Sequence, residues 1–479
     1  MREKDFGGLG SILCRGVDFL SFDLKEYKGK KVHLIGIGGS MMSGIAGILL
    51  NNDVRVTGSD NHESKELQHV RSMGAEVRTG GHHADSITDQ DLVIYSAAIK
   101  EDNPEIQKAR EKGIPTLTRS QFLGKLLKSF RLSAGIAGTH GKTSTTSLLT
   151  SITMEAGLDP TVLIGAHVPL IDSNYRVGSS EVMIVESCEY QRSFLDFPPH
   201  IAVILNVEED HIDTYKDLGE IKEAFASYVG MVPEDGFVIA NADDPAVMAS
   251  VKDAKARILT FGIEAGDIRA DHIVMDNNGR AAFDVVEDGV NLFHVHLPIA
   301  GTFNVYNALA AAAAALALGV EPAAIGQGLL GYKGVDRRLQ ELGTVNGIRY
   351  IEDYGHHPTE IRVTIETVLH FDYKKLLIVV QPLTYTRLHR FFDDFVPLFD
   401  EADLLITLPV FASREKDTGL ISSEELGNAV EKRGTVPVIN AATLDEGRDL
   451  VVKHAAPGDL VLFIGGGEAH LIYDLLSQQ

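Results

Sequence analysis

Ile136-Ala137-Gly138-Thr139-His140-Gly141-Lys142-Thr143-Ser144-Thr145-Thr146 decides how the chain is read. The apolar lead from Leu132 to Ala137 reads as a strand. Two glycines and a Lys-Thr pair follow, and then a helix-prone run from Ser147 to Ala156. At such a junction the free backbone N–H groups and the helix dipole converge on one point and favour a phosphate there. Lys142 would reach the outer phosphates, and the Thr143 hydroxyl suits Mg²⁺. The general phosphate-loop pattern has a glycine where Ile136 stands, so the bland alternative is a turn that merely joins strand to helix.

On the N-terminal side, residues 1–28 have no clear periodicity and read as an extension. Lys31 to Ile35 is a strand, and Gly36-Ile37-Gly38-Gly39-Ser40 then leads into a helix. A second strand ends at Ser59-Asp60. This is a dinucleotide-type pattern in which Met41 replaces the third glycine, so plain strand–helix packing is as good a reading as nucleotide binding. His82, just after a glycine pair, and Ser96, at the end of Leu92-Val93-Ile94-Tyr95-Ser96, continue the same alternation. Arg119 lies near its close.

On the C-terminal side, one strand ends at Glu186 and another, Ile201 to Leu205, leads to Asp210-His211-Ile212-Asp213. In open α/β sheets the carboxyl ends of strands carry the ligands. Glu186 and His211 therefore fall at the edge that carries Lys142 and Thr143, a plausible Mg²⁺ set. Histidine is an uncommon Mg²⁺ ligand, so hydrogen bonding is the other role open to His211. Cys188 reads as a small buried thiol. Asn304 and Asn307 sit three apart before an alanine run; on one helix face they could read an adenine edge, or simply cap the helix. Gly334-Val335-Asp336-Arg337-Arg338 reads as a hinge. A third strand–helix alternation follows, with Asp353-Tyr354-Gly355-His356-His357-Pro358-Thr359-Glu360 directly after a strand.

Composition bounds the rest. The chain has 479 residues, 44% of them hydrophobic; domains of roughly 100–200 residues make it multidomain. No apolar run reaches the ~18 residues of a membrane span, and no signal peptide is expected. Cys14 and Cys188 are the only cysteines, which fits a reducing cytoplasm rather than a disulfide framework. A net charge of -23 argues against nucleic-acid or anionic-membrane partners.

Gly138-Thr139-His140-Gly141-Lys142-Thr143, Asp210-His211-Ile212-Asp213, Gly334 to Arg338 and the Tyr354-Gly355-His356-His357-Pro358 run together resemble the Mur ligases, the ATP-dependent amide ligases of peptidoglycan synthesis. The resemblance runs from about Lys31 to the C-terminus. It implies three α/β domains in series: a Rossmann-like UDP-substrate domain (29–131), a central P-loop ATPase-type domain (132–332) and a Rossmann-like amino-acid domain (333–479). It also implies a ligase that joins L-alanine to the lactyl carboxylate of UDP-N-acetylmuramate, in a monomer or homodimer. The related tripeptide-recycling ligase is the alternative, and a non-catalytic nucleotide-gated protein a more distant one.

On that resemblance Gly36, Gly38, Gly39, Ser40, Asp60, His82 and Ser96 serve the UDP moiety. ATP falls to Gly138, Thr139, His140, Gly141, Lys142, Thr143, Ser144, Asn304, Asn307, Arg338 and Asp353. Mg²⁺ falls to Thr143, Glu186 and His211, and alanine to Tyr354, His356 and Arg387, with His356 or His211 as base. Phe303 and Leu383 stand where the family usually has histidine.

Overall fold

In the computed structural model the described residues are 24–413 and 415–477. Most of the expected extension lies outside them. Its last part, the turn Leu24–Tyr27, buries Leu24 in the first core.

Three sheets follow one another along the chain. The first contains β1 (Lys31–Ile35), β2 (Arg55–Asp60), β3 (Glu76–Thr79), β4 (Leu92–Tyr95) and β5 (Thr116–Thr118), in the order β3-β2-β1-β4-β5 and all parallel. Parallel neighbours need crossover connections, and strands covered on both faces read as unbroken apolar runs. That is why Leu92-Val93-Ile94-Tyr95, buried throughout, is plain in the sequence. The order reverses at β1, so the crevice beyond β1 and β4 is where this sheet type takes a ligand.

The second sheet contains β6 (Leu132–Ala137), β7 (Thr161–Val168), β8 (Ser173–Arg176), β9 (Val182–Glu186), β10 (Ile201–Ile204), β11 (Phe237–Asn241), β12 (Arg257–Gly262), β13 (Ile268–Met275), β14 (Arg280–Glu287) and β15 (Val290–Ala300). Its order is β15-β14-β13-β12-β11-β10-β6-β9-β7-β8. Strand β6 is central: Ile136 pairs with Glu186 of β9, and Ala137 with Ile204 of β10. The helix after it starts at Lys142, directly behind the left-handed Gly141, and runs to Glu155. Its serines and threonines are poor helix formers, but Thr143 to Thr153 are all buried, and packing overrides that preference.

The third sheet contains β16 (Gln340–Val345), β17 (Ile348–Asp353), β18 (Leu376–Val380), β19 (Leu404–Thr407), β20 (Val438–Asn440) and β21 (Leu460–Ile464), in the order β16-β17-β21-β18-β19-β20. Strands β16 and β17 form an antiparallel hairpin, and the rest are parallel.

The chain divides into two compact units. One holds residues up to His272 with 283–295 and 306–332; the other holds 273–282, 296–305 and 333 onward. Within the first, helix Ser40–Asn51 lies against the β7–β8 hairpin so closely that a Cβ on Gly47 would sit 2.1 Å from Tyr175 Cζ. One on Gly44 would sit 2.3 Å from Leu163 Cδ1. Both glycines are there for this approach.

Candidate active site

The glycine turn between β6 and its helix is built by two backbone conformations that disfavour side chains. Gly138 has φ +144° and Gly141 φ +82°, and a Cβ on Gly141 would lie 2.5 Å from Asn307 Oδ1. Asn206, one residue past Leu205, clamps the turn. Its Oδ1 accepts from His140 N–H at 2.7 Å, its Nδ2 donates to His140 O at 3.1 Å, and its carbonyl accepts from Thr139 N–H at 3.1 Å. Thr139 Oγ1 accepts from Glu208 N–H at 2.9 Å, and the His140 ring lies 3.4 Å from the Glu208 carboxylate. Of the hydroxyls opening the helix, Thr145 donates to Asn307 Oδ1 at 3.2 Å and Thr146 to Lys142 O at 2.8 Å. Those of Thr143 and Ser144 make no hydrogen bond among the described residues.

Lys142 turns back over the loop. Its ammonium donates to Gly138 O, to Thr139 O at 3.0 Å, and to Glu189 Oε1 and Oε2 at 3.2 and 3.0 Å. Burial alone would lower the Lys142 pKa; the nearby Glu189, Cys188 and Glu186 outweigh it and raise it. For Glu189, burial pushes upward, and Lys142 and His211 more than reverse that, leaving its pKa below the usual range. The pair is therefore ionised on both sides. His211 Nε2 lies 3.4 Å from Glu189 Oε1, while its Nδ1 is buried without a hydrogen-bond partner among the described residues. Cys188, Glu189 and His211 bring ligand atoms within 4.8 Å of one another. Burial raises the Cys188 thiol, which leaves it protonated and unsuited to Mg²⁺.

Sequence reasoning singled out Glu186 and passed over Glu189. Glu186 accepts from Gly165 N–H at 2.8 Å and stands close enough to Lys142 to raise its pKa; Glu189 is the acid that meets His211. Glu186 ends β9 and Glu189 follows three residues later, and no sequence signal separates them. The donor set fits a hard cation beside phosphates: a free Thr143 hydroxyl, the Glu186 and Glu189 carboxylates, and the orphaned His211 Nδ1.

At the carboxyl ends of β1 and β4, Gly36 has φ +79°, and Asp60 Oδ2 accepts from Gly38 N–H at 2.8 Å. Gly39 caps helix Ser40–Asn51. Ser40 Oγ donates to Gly165 O at 2.8 Å, so Gly165 ties the first glycine turn to Glu186. Ser96 N–H donates to Ile35 O, and its hydroxyl accepts from Ala98 N–H at 3.3 Å. His82 Nδ1 lies 2.8 Å from Ser59 Oγ, which donates to the fully buried Glu105 at 2.6 Å. Sequence reasoning missed Glu105, because an acid at the start of a helix looks like an ordinary cap.

In the second unit, Asp353 ends β17 with both oxygens engaged, accepting from Gly355 N–H at 2.6 Å and Leu339 N–H at 2.7 Å. The Tyr354 ring packs under Arg337 and Arg338, 4.7 and 5.2 Å from their guanidinium carbons, and edge-on to His356 at 5.3 Å. Glu360 accepts from His356 N–H at 3.0 Å. His357 meets Phe391 edge-on at 4.8 Å, which seats the short helix Tyr385–Arg390, with its buried Arg387, beside this loop. Asn304, whose side chain donates to Ala300 O at 2.7 Å, lies in the first turn of helix Thr302–Ala317. Asn307, three residues on, already belongs to the first unit, where it meets Thr145.

Family models match three consecutive stretches: the Mur ligase family, catalytic domain, over residues 31–131; the Mur ligase middle domain over 136–315; and the Mur ligase, glutamate ligase domain over 337–467. The UDP-N-acetylmuramate–L-alanine ligase of Clostridium tetani is 42% identical over 456 residues, 95% of this chain and 99% of that protein. That of Clostridium novyi is 43% identical, over 96% and 100%. The chain belongs to the Mur ligase family.

Among solved structures, this Mur ligase superposes on UDP-N-acetylmuramate-alanine ligase from Thermotoga maritima with TM-score 0.80, 25% identity, and coverage of 94% and 98%. A murein peptide ligase from Psychrobacter arcticus has the same fold at TM-score 0.71 and 24% identity, with coverage of 94% and 98%. The first family segment carries β1 to β5, the middle one reaches from the end of β6 through β15, and the third carries the last sheet from β16 to β21.

Proposed function

We infer that this Mur ligase joins L-alanine to the lactyl carboxylate of UDP-N-acetylmuramate at the expense of ATP, in peptidoglycan precursor synthesis. The observation that carries the reading is 42% identity to a UDP-N-acetylmuramate–L-alanine ligase over 99% of its length. The nucleotide turn supports it, with Lys142 held at the N-terminus of a buried helix.

A carboxylate is a poor acylating agent at neutral pH. A carboxylate oxygen takes the γ-phosphoryl group of ATP, ADP leaves, and an acyl phosphate results; the amine of alanine then attacks the acyl carbon, and inorganic phosphate leaves as the amide forms. Phosphoryl transfer needs positioning and charge neutralisation more than covalent help. Lys142 and the N–H groups of the turn would hold the outer phosphates. Thr143, Glu186 and Glu189, joined by His211 where His356 is the base, would hold Mg²⁺, which when bound neutralises phosphate charge. The incoming amine is protonated in bulk water, and His356 or His211 would take its proton. Tyr354, His356 and Arg387 would receive alanine; Asn304, Asn307, Arg338 and Asp353 would serve ATP. The glycine turn after β1, with Asp60, His82 and Ser96, would take the UDP moiety.

We assign the domains as 29–131, 132–332 and 333–479, and the enzyme to the cytoplasm, where ATP and nucleotide sugars are held. No helix among the described residues is long and apolar enough to cross a membrane. The test is ADP release with UDP-N-acetylmuramate and each candidate amine in turn. L-alanine should be used far faster than glycine, L-serine or the tripeptide; faster turnover of the tripeptide would move the chain to the recycling branch.

A further inference from the structure

Among the described residues, Arg119 is a cation without a partner in a protein rich in carboxylates. It opens helix Arg119–Leu127, behind the Thr118 cap. Its Nε is buried, and no described residue makes a hydrogen bond to it or an ion pair with its guanidinium. Most buried arginines are paired, because an unpaired buried charge is costly. Burial indeed lowers the pKa of this one, with only Cys188 acting against it.

The helix that carries Arg119 is fixed against the segment following β9. Ser120 Oγ donates to Asp196 Oδ2 at 2.5 Å, and a Cβ on Gly124 would lie 2.1 Å from Asp196 O. That docking seats the start of the helix on the segment that follows Cys188, and Arg119, like Lys142, is near enough to that thiol to act on it electrostatically. Two cations, each opening a helix, thus lie near one side chain. Lys142 is matched by Glu189 at 3.0 Å; Arg119 is matched by no described residue. Glu186 and Glu189 stand on the same strand end, yet neither pairs with it.

We propose that Arg119 is a substrate-binding residue that receives the carboxylate to be activated, holding it beside the nucleotide turn. A carboxylate must approach the terminal phosphate of ATP against like-charge repulsion. A guanidinium supplied from the sugar-nucleotide domain offsets that repulsion and, through its two-pronged geometry, aims one oxygen. The inference rests on UDP-N-acetylmuramate being the substrate.

The test compares two nucleotide sugars by calorimetric binding to the full chain without ATP: UDP-N-acetylmuramate, and UDP-N-acetylglucosamine, which lacks the lactyl carboxylate. Arg119→Gln should weaken the first about 30-fold, the loss expected for a charge-assisted hydrogen bond, and leave the second within about threefold. Arg119→Lys, which keeps the charge and serves if the glutamine variant does not fold, should weaken the first about tenfold by losing the bidentate contact. Parallel weakening of both sugars, or no weakening of either, overturns the proposal. If the wild-type protein binds both sugars equally, the substrate assignment itself fails, a result separate from any effect of Arg119.

Discussion

Lys142 and Glu189 form a buried ion pair, 3.0 Å from Nζ to Oε2, with side-chain exposures of 15% and 3%. The pair presets the ammonium over the glycine turn. Removing one member leaves the other charged and buried, which costs about 3–5 kcal/mol, whereas removing both is far milder. Lys142→Met should therefore unfold at markedly lower urea, and adding Glu189→Gln should restore most of the loss. Both proteins should release ADP at least about a hundredfold more slowly than wild type, because a preorganised phosphate charge is gone. A single variant as stable as wild type would show that the pair does not hold the turn.

Asn206 clamps His140 through both its side-chain oxygen and nitrogen. Asn206→Ala removes both bonds and frees the turn to relax. The KM for ATP should rise about tenfold, in line with about 1–1.5 kcal/mol of lost positioning, while the KM for alanine stays put. Equal rises in both constants would assign Asn206 to the fold rather than to the turn.

These two residues illustrate what the sequence discloses. Strands β1, β18 and β21 are visible residue for residue, because both faces are covered and the apolar run has nowhere to break. Lys142 and Thr143 are visible because the glycines and the helix start sit next to them in the chain. Glu105, Arg119, Asn206 and Glu189 are not. Glu105, Asn206 and Glu189 take their contacts from neighbours dozens of residues away, Arg119 stands out only by lacking one among the described residues, and in the sequence each passes for a cap, a surface charge or a loop polar. The glycines at 44 and 47 are likewise silent until Leu163 and Tyr175 close on them. Strands β13 to β15 follow no nucleotide-fold pattern and went unread.

Arg387 is buried at 8% exposure in a six-residue helix beside the His356-His357 loop. If it receives the α-carboxylate of alanine through a two-pronged contact, lysine cannot replace it. Arg387→Lys should raise the KM for alanine at least about tenfold and leave the KM for ATP unchanged in steady-state assays. Unchanged alanine saturation would remove Arg387 from the amino-acid site.

Glu105 supplies a pH signature. Burial would raise its pKa; hydrogen bonds involving His33, Ser59 and the His83 N–H outweigh that and hold it at about 2. Ser59 Oγ lies 2.6 Å from one oxygen and His83 N–H 3.1 Å from the other. A carboxyl group in the unfolded chain titrates near about 4.3. The folded state therefore favours the ionised form, so the stabilisation is complete above the unfolded value and is lost as pH falls through the folded one. Two pK units or slightly more amount to about 3 kcal/mol. Glu105→Gln should thus cost about 3 kcal/mol at neutral pH, and the gap from wild type should close as the pH falls from about 4.5 toward about 2. Urea unfolding of both proteins across that range measures it. A gap that stays constant with pH would mean that the glutamine loses packing or hydrogen bonds only, and that the charge of Glu105 contributes nothing to the first sheet.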